Sequence, residues 1–283
     1  MTLIAGLKCS DGIVVAADTE HTFGSIRFQD HKLLMHPSTR AAACHPSGLK
    51  ESPFRVVAAG AGSSDYIRMT TDEIRDHVGE APADLNEMSA AVRSAVEHTH
   101  ETIFKHWSPS DPGRPSVALV VGLRHGTEVK LLRTSDVAVS EVETVAFDGS
   151  GAPIAHYLAA GLYRPRHTST VALNITVQVF RAVKESGIYV GGNTELCILG
   201  QGSVFHVTGG DTSYLWGLQA KLHRAIRVIL EQKPEEIAKH FIQEVGDALE
   251  AIRKESGRFE TPYKDWFTVE GNTDVDDPLE DVW

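Results

Sequence analysis

The first 26 residues read MTLIAGLKCSDGIVVAADTEHTFGSI, and within them residues 2–9 and 13–17 are apolar runs separated by Ser10-Asp11-Gly12. Asp-Gly between two such runs predicts a tight β-hairpin. The second run stops at Asp18, and an ionised carboxylate at the end of an apolar strand needs a partner. Lys32, the only lysine available in the segment that follows, lies where the next strand returns.

Working outward, residues 55–59 predict a third long strand that runs into Gly60-Ala61-Gly62-Ser63-Ser64-Asp65, after which Ile67, Ile74 and Val78 mark a helix. Glycines at that junction let backbone N–H groups face open space. Residues 84–107 place Leu85, Met88, Val92, Val96, Thr99 and Ile103 three and four apart, the stripe of an amphipathic helix. Residues 116–123 and 128–133 predict a hairpin across Arg124-His125-Gly126-Thr127, and 142–147 a strand entering Gly149-Ser150-Gly151. Helices are expected over 153–162 and 170–184, and strands over 194–199 and 203–207. Strands and helices that come in groups, twice over, do not follow the strict alternation of a doubly wound parallel sheet. The order predicts an α+β domain over residues 2–207, with two packed sheets flanked by helices. Residues 208–283 form a C-terminal helical extension, its stripes carried by Leu215, Leu218, Leu222, Ile226 and Ile229 and then by Ile237, Phe241, Val245, Leu249 and Ile252. It ends in an acidic tail with Asp274, Asp276, Asp277, Glu280 and Asp281.

Composition narrows the function. A formal net charge of −11 without any Lys/Arg run excludes a general nucleic-acid binder, because phosphate recognition needs a basic face. No run of about 18 apolar residues is present and no basic leader precedes one, so neither membrane insertion nor secretion is expected. Cys9, Cys44 and Cys197 are odd in number and widely spaced, which suits a reducing, cytoplasmic setting and no disulfide framework. His36, Cys44 and His45 lack a fourth ligand at recognisable spacing, so they are read as loop residues, and neither metal nor cofactor is assigned.

Thr2 offers distinctive chemistry. A threonine hydroxyl is a weak nucleophile unless a base is held beside it, and an N-terminal threonine carries that base on its own backbone. Its α-amine has a reference pKa of about 7.7–8.0, so removal of Met1 would create nucleophile and base together. A nearby cation, Lys32, would bias the amine toward the free base, and Asp18 would fix the cation.

These residues carry a resemblance. The opening, with Ala16-Ala17-Asp18 at the family's offset from Thr2, resembles proteasome β-subunits and their bacterial relatives, which are N-terminal nucleophile (Ntn) hydrolases. Lys32-Leu33-Leu34-Met35-His36-Pro37 is similar to the family's lysine segment, about two residues shorter. Gly60-Ala61-Gly62-Ser63-Ser64-Asp65 is similar to the segment whose backbone N–H forms the oxyanion hole, which implies Gly62 in that role, with Ala61 the alternative. Asp148-Gly149-Ser150-Gly151 resembles the turn whose serine bonds near the threonine amine, which implies Ser150.

The resemblance implies a four-layer αββα sandwich and a threonine-type peptide hydrolase with catalytic Thr2, Asp18, Lys32 and Ser150. It also implies peptide or unfolded-protein substrates and a homo-oligomer, while no ATPase partner is assigned. A small-amide hydrolase of the same fold and a non-catalytic ring subunit are the alternative readings. Retention of Thr2, Asp18, Lys32 and Ser150 argues against the latter, and one departure keeps it open: where relatives carry Asp-x-x-Ser-Gly-Gly, this chain reads Gly187-Ile188-Tyr189-Val190-Gly191-Gly192. Glu185 or Ser186 could compensate, or could simply end a solvated helix.

Overall fold

The structure is a computed structural model that describes residues 2–23, 26–29, 32–36, 54–79, 82–108, 111, 114–186, 190–200, 204–207, 212 and 217. All of these fall within one unit, Met1–Gln219. The expected C-terminal extension and acidic tail therefore lie outside the described residues, Thr212 and Gly217 apart.

The opening hairpin forms as its sequence predicts. β1 (Leu3–Cys9) and β2 (Gly12–Asp18) pair antiparallel, Cys9 opposite Gly12 and Ile4 opposite Ala17. A Cβ on Gly12 would lie 2.3 Å from the Leu199 carbonyl oxygen, so glycine is required there by close approach of a neighbouring strand. The carboxylate of Asp11 in the turn accepts from the backbone N–H and the hydroxyl of Ser169, tying the hairpin to the first residue of a distant helix.

Two five-stranded sheets are built around this hairpin. The first has the order β10-β1-β2-β11-β12, with β10 at Val145–Gly149, β11 at Thr194–Gly200 and β12 at Val204–Val207. The second has the order β5-β6-β7-β8-β9, from β5 (Leu33–His36) and β6 (Phe54–Gly62) through β7 (Val117–His125) and β8 (Glu128–Ser135) to β9 (Ala138–Glu141). A separate hairpin, β3 (Glu20–Phe23) with β4 (Ile26–Gln29), follows Asp18. The sequence reading missed this hairpin and β9, because runs of four residues are too short to show a period.

Between the sheets, Ile4, Ile13, Val15, Val57, Ala59, Val120, Leu131, Cys197 and Leu199 form one buried cluster. On the far side of the second sheet, α1 (Ser64–Val78) and α2 (Leu85–Thr102) cover Phe54, Val56, Leu119, Val121 and Leu123 with Ile74, Met88 and Val92. Asp84 caps α2 as its type suggests, accepting from Asn86 N and Glu87 N at 2.7 and 2.9 Å. The first sheet is covered by α3 (Ala152–Leu162) and α4 (Ser169–Glu185), with α4 against β1, β2 and β11. The layers are thus helix, sheet, sheet, helix, the αββα sandwich expected from the order of elements. No helix among the described residues is long and apolar enough to cross a membrane.

Small residues set the spacing between the sheets. A Cβ on Gly122 of β7 would stand 2.8 Å from Leu199 Cδ1 and 2.9 Å from Val15 Cγ2 across the interface. Gly122→Val should therefore overpack the interface and lower stability by about 1–3 kcal/mol, measured by urea denaturation. Unchanged stability would mean that the sheets stand further apart.

Candidate active site

Each residue of the site occupies the end of an element, and all of the ends meet on one side of the sandwich. Thr2 directly precedes β1, whose Leu3 pairs with Gly149 at the end of β10. Asp18 ends β2 opposite Thr194, the first residue of β11. These belong to the first sheet, whereas Lys32 directly precedes β5 of the second, where Leu33 pairs with Ala59.

The sandwich brings Lys32 to the edge of the first sheet. Its ammonium donates to Thr2 Oγ1 at 2.7 Å, to Asp18 Oδ1 at 3.0 Å and to the backbone oxygen of Glu20. An ammonium has three donors, and all three are used. Because Thr2 Oγ1 already accepts from Lys32, the hydroxyl hydrogen is left to point elsewhere.

Asp18 is satisfied in turn. Oδ1 also accepts from Leu3 N at 3.0 Å, and Oδ2 accepts from Gly191 N at 3.4 Å. The carboxylate is 0% exposed and Lys32 is 5% exposed. Burial pushes the Asp18 carboxyl up and the Lys32 ammonium down, and each shift is opposed by the charge of the other.

Ser150 holds the backbone of Thr2. Its Oγ accepts from Thr2 N at 3.2 Å and donates to Thr2 O at 3.3 Å, while Gly151 N–H donates to the same oxygen at 3.4 Å. Gly149, at φ +93°, lets the turn pass over Thr2, since a Cβ there would lie 2.2 Å from Thr2 O.

Gly62 and Ala61 end β6 beside this turn, and a Cβ on Gly149 would lie 3.5 Å from the Ala61 Cβ. Ladder alternation separates the two. Ser63 N–H donates to Ser116 O on the β7 side, and Leu119 N–H turns instead to Thr134 Oγ1 on β8. In an antiparallel ladder, residues facing one partner alternate with residues facing the other, so Ala61, opposite Ala118, addresses β7, whereas the Gly62 N–H turns away from it. Among the described residues, the register with β5 stops at Leu33 opposite Ala59. Gly62 is exposed, and its φ of +120° suits glycine alone.

The remaining expectations sort as follows. Ser186 Oγ donates to Val183 O and Glu185 accepts from Arg181 at 2.9 Å, so both are spent on their own helix. Gly187 is outside the described residues. Of the three loop residues weighed as metal ligands, His36 bonds Gly79 O at 3.1 Å, and Cys44 and His45 lie outside the described residues. Sequence reasoning gave no role to Lys184, the last residue of the helix expected over 170–184. A cavity of about 300 Å³ lies elsewhere, between α1, α2 and the second sheet, walled by Thr70, Phe104, Arg114 and Thr134.

The fold is a four-layer α+β sandwich of the kind seen in proteasome-like β-subunits. Neither a protein-family profile nor a curated protein matches the chain. Solved structures do. They include Anbu from Hyphomicrobium sp. strain MC1 as a Gly-1 mutant, at 15% identity and TM-score 0.63, over 82% of this chain and 98% of that one. Anbu from Yersinia bercovieri, described as an ancestral beta-subunit, matches at 12% identity and TM-score 0.63, over 82% and 97% of the two chains. The helical assembly of the Anbu complex from Pseudomonas aeruginosa matches at 14% identity with the same TM-score, 0.63, and the same coverage, 82% and 97%. At these identities the likeness is one of fold.

The buried pair makes its own prediction. Asp18→Asn removes the only carboxylate bonded to Lys32 among the described residues and should destabilise the protein by about 3–5 kcal/mol, because a buried cation is left uncompensated. Adding Lys32→Met should recover part of that loss in thermal or urea unfolding. A single variant as stable as wild type would show that the pair is not buried.

Proposed function

We propose that this chain is a threonine-type amide hydrolase, with Thr2 its nucleophile once Met1 is removed. The observation that carries the reading is the Lys32 ammonium bridging Thr2 Oγ1 and Asp18 Oδ1 at 2.7 and 3.0 Å. A hydroxyl that merely completed a strand edge would not need a buried cation in contact with it.

In the proposed reaction, the Thr2 α-amine takes the hydroxyl proton while Oγ bonds to the substrate carbonyl carbon. Lys32 stabilises the oxygen as it loses that proton, and its charge favours the neutral amine beforehand. The Gly62 N–H donates to the carbonyl oxygen as it becomes an oxyanion. The α-ammonium returns its proton to the leaving nitrogen as the C–N bond breaks, leaving an ester on Thr2. Water, deprotonated by the same amine, then adds to the ester carbon, and the ammonium returns that proton to Thr2 Oγ as the C–Oγ bond breaks and the acid leaves. Ser150 holds the Thr2 nitrogen in place throughout.

Peptides are the proposed substrates, a reading supported by the proteasome-like fold. A cytoplasmic location is proposed on the free thiols of Cys9 and Cys197, both buried and both pushed up to about 12 by burial, which leaves them unreactive. We infer that copies of the chain assemble with one another, as the Anbu complex from Pseudomonas aeruginosa does in its helical assembly. Light scattering should give a mass several times 30.8 kDa, and an active monomer would refute the assembly.

The chemical test is direct. N-terminal sequencing of active protein should begin at Thr2, and Thr2→Ala should lower peptide turnover by roughly three orders of magnitude or more with thermal stability retained. Wild-type turnover should rise through near-neutral pH as the amine loses its proton. Active protein that retains Met1, or a Thr2→Ala variant within a few fold of wild type, would place the chemistry elsewhere.

A further inference from the structure

Behind Asp18 the chain makes a turn that depends on glycine. Gly191 N–H is the third donor to the Asp18 carboxylate, and a Cβ on Gly191 would lie 2.3 Å from Glu20 Oε2. Gly192 has φ +66°, and a Cβ there would meet Thr19 Oγ1 at 2.6 Å. The turn is further fastened to β2 and its continuation, with Asn193 N donating to Thr19 Oγ1 at 2.8 Å and Thr19 N donating to Asn193 O at 3.0 Å.

Lys184, in the last turn of α4, reaches into the same place. Its ammonium donates to Gly192 O at 2.9 Å and to Thr194 Oγ1 at 2.7 Å. Thr194 is the strand partner of Asp18. Both acceptors are neutral, so among the described residues this cation bonds to no carboxylate, and burial pushes it down to about 8. A lysine placed only for solubility would extend into water, since its stem is long and its head strongly hydrated. This one is folded back onto the turn that touches Asp18.

Taking the Thr2 reading above as its premise, we propose that Lys184 is a positioning residue for the Asp18–Lys32 pair. It clamps the Gly191-Gly192 turn by its carbonyl and sets a second positive charge behind the first. The clamp keeps the Gly191 N–H on Asp18, and thereby keeps Asp18 on Lys32. The charge disfavours further protonation nearby, which lowers the proton affinity of the base at Thr2.

Charged and titratable groups on the elements packed against α4 are Lys8 and Cys9 on β1, Asp18 on β2, Glu195 and Cys197 on β11 and His156 and Tyr157 on α3, and α4 itself carries Arg181 and Glu185 beside Lys184. The charges that act on Lys184 are those of Asp18, Lys32 and Glu20. Asp18 and Glu20 attract it and Lys32 repels it, so Lys184 belongs electrostatically to the site and not to the helix surface.

The test uses the full-length protein and a peptide vinyl sulfone, to which Thr2 Oγ would add at the vinyl carbon while its proton passes through the α-amine to the adjacent carbon. Labelling of wild type, Lys184→Met, Lys184→Arg and Thr2→Ala is followed by intact mass from pH 5 to about pH 9, with thermal melts to confirm folding. Lys184→Met should label about tenfold more slowly, because the clamp is lost, and its rising limb should move to higher pH by about half a unit, because a positive charge is gone. Lys184→Arg keeps the charge and should keep the limb in place, although its planar fork fits the two acceptors less well and slows the rate. A Lys184→Met protein with wild-type rate and limb, beside an unlabelled Thr2→Ala, would overturn this inference alone. A slower rate with an unmoved limb in Lys184→Met would reduce Lys184 to a packing role and also overturn it. Failure of wild type to label, or labelling of Thr2→Ala, would overturn the Thr2 reading and this inference with it.

Discussion

A lysine ammonium buried between two β-sheets must find three acceptors or lose its charge, and this fold is arranged so that Lys32 finds them. Two come from the residues flanking the end of β2, namely the Asp18 carboxylate and the Glu20 carbonyl. The third is the hydroxyl of Thr2. Lys32 enters from the second sheet and its acceptors belong to the first sheet or follow directly from it, so the contact can exist only when the sheets are packed in register. Folding and the assembly of the site are therefore a single event. A chain that packed its sheets one residue out of register would strand the cation in an apolar edge, at a cost of several kcal/mol.

The same constraint explains why so many of the surrounding residues are small. Ala16, Ala17, Ala59 and Ala61 lie along the strands that approach the site, and Gly6 and Gly122 stand where the sheets come closest. A Cβ on Gly6 would lie 2.6 Å from Val120 Cγ1, for instance. At Gly6 and Gly122 a side chain would collide with the facing sheet, so glycine there sets how closely the two sheets pack. Gly149 serves the other flank, where the turn carrying Ser150 must pass close over Thr2 O.

Much of this was legible in the sequence because it is written in local patterns. The Asp11-Gly12 turn, the stripe from Leu85 to Thr99, and the apolar runs that stop at a lone Asp18 or begin after a lone Lys32 all carry their meaning within a few residues. What escaped was written in pairings across the chain. The β3–β4 hairpin and β9 are short, and their pairing partners define them better than their composition does. Lys184 follows Val183 on a helix with an apolar face, so its position predicts solvent. Only the register of Thr194 opposite Asp18 shows that the end of α4 lies over the site. The choice between Ala61 and Gly62 was likewise open to sequence and is narrowed by ladder alternation, a property of three strands at once.

The departure at residues 187–190 gains a physical meaning from this arrangement. Lys184 brings a cation to the turn behind Asp18, and with Lys32 on the other side the carboxylate is held between two positive charges, with Glu20 close by as a second negative one. The two acids and two bases sum to zero, with Asp18 and Lys32 buried and Glu20 and Lys184 half-buried, so a neutral α-amine at Thr2 would join them without adding charge, whereas a protonated one would add an uncompensated cation. On the proposal that Thr2 supplies an amine base, that difference favours the form that accepts a proton. The Asp18–Lys32 pair alone is equally neutral, so what Lys184 adds is position: it holds, by the Gly192 carbonyl, the turn whose Gly191 N–H donates to Asp18.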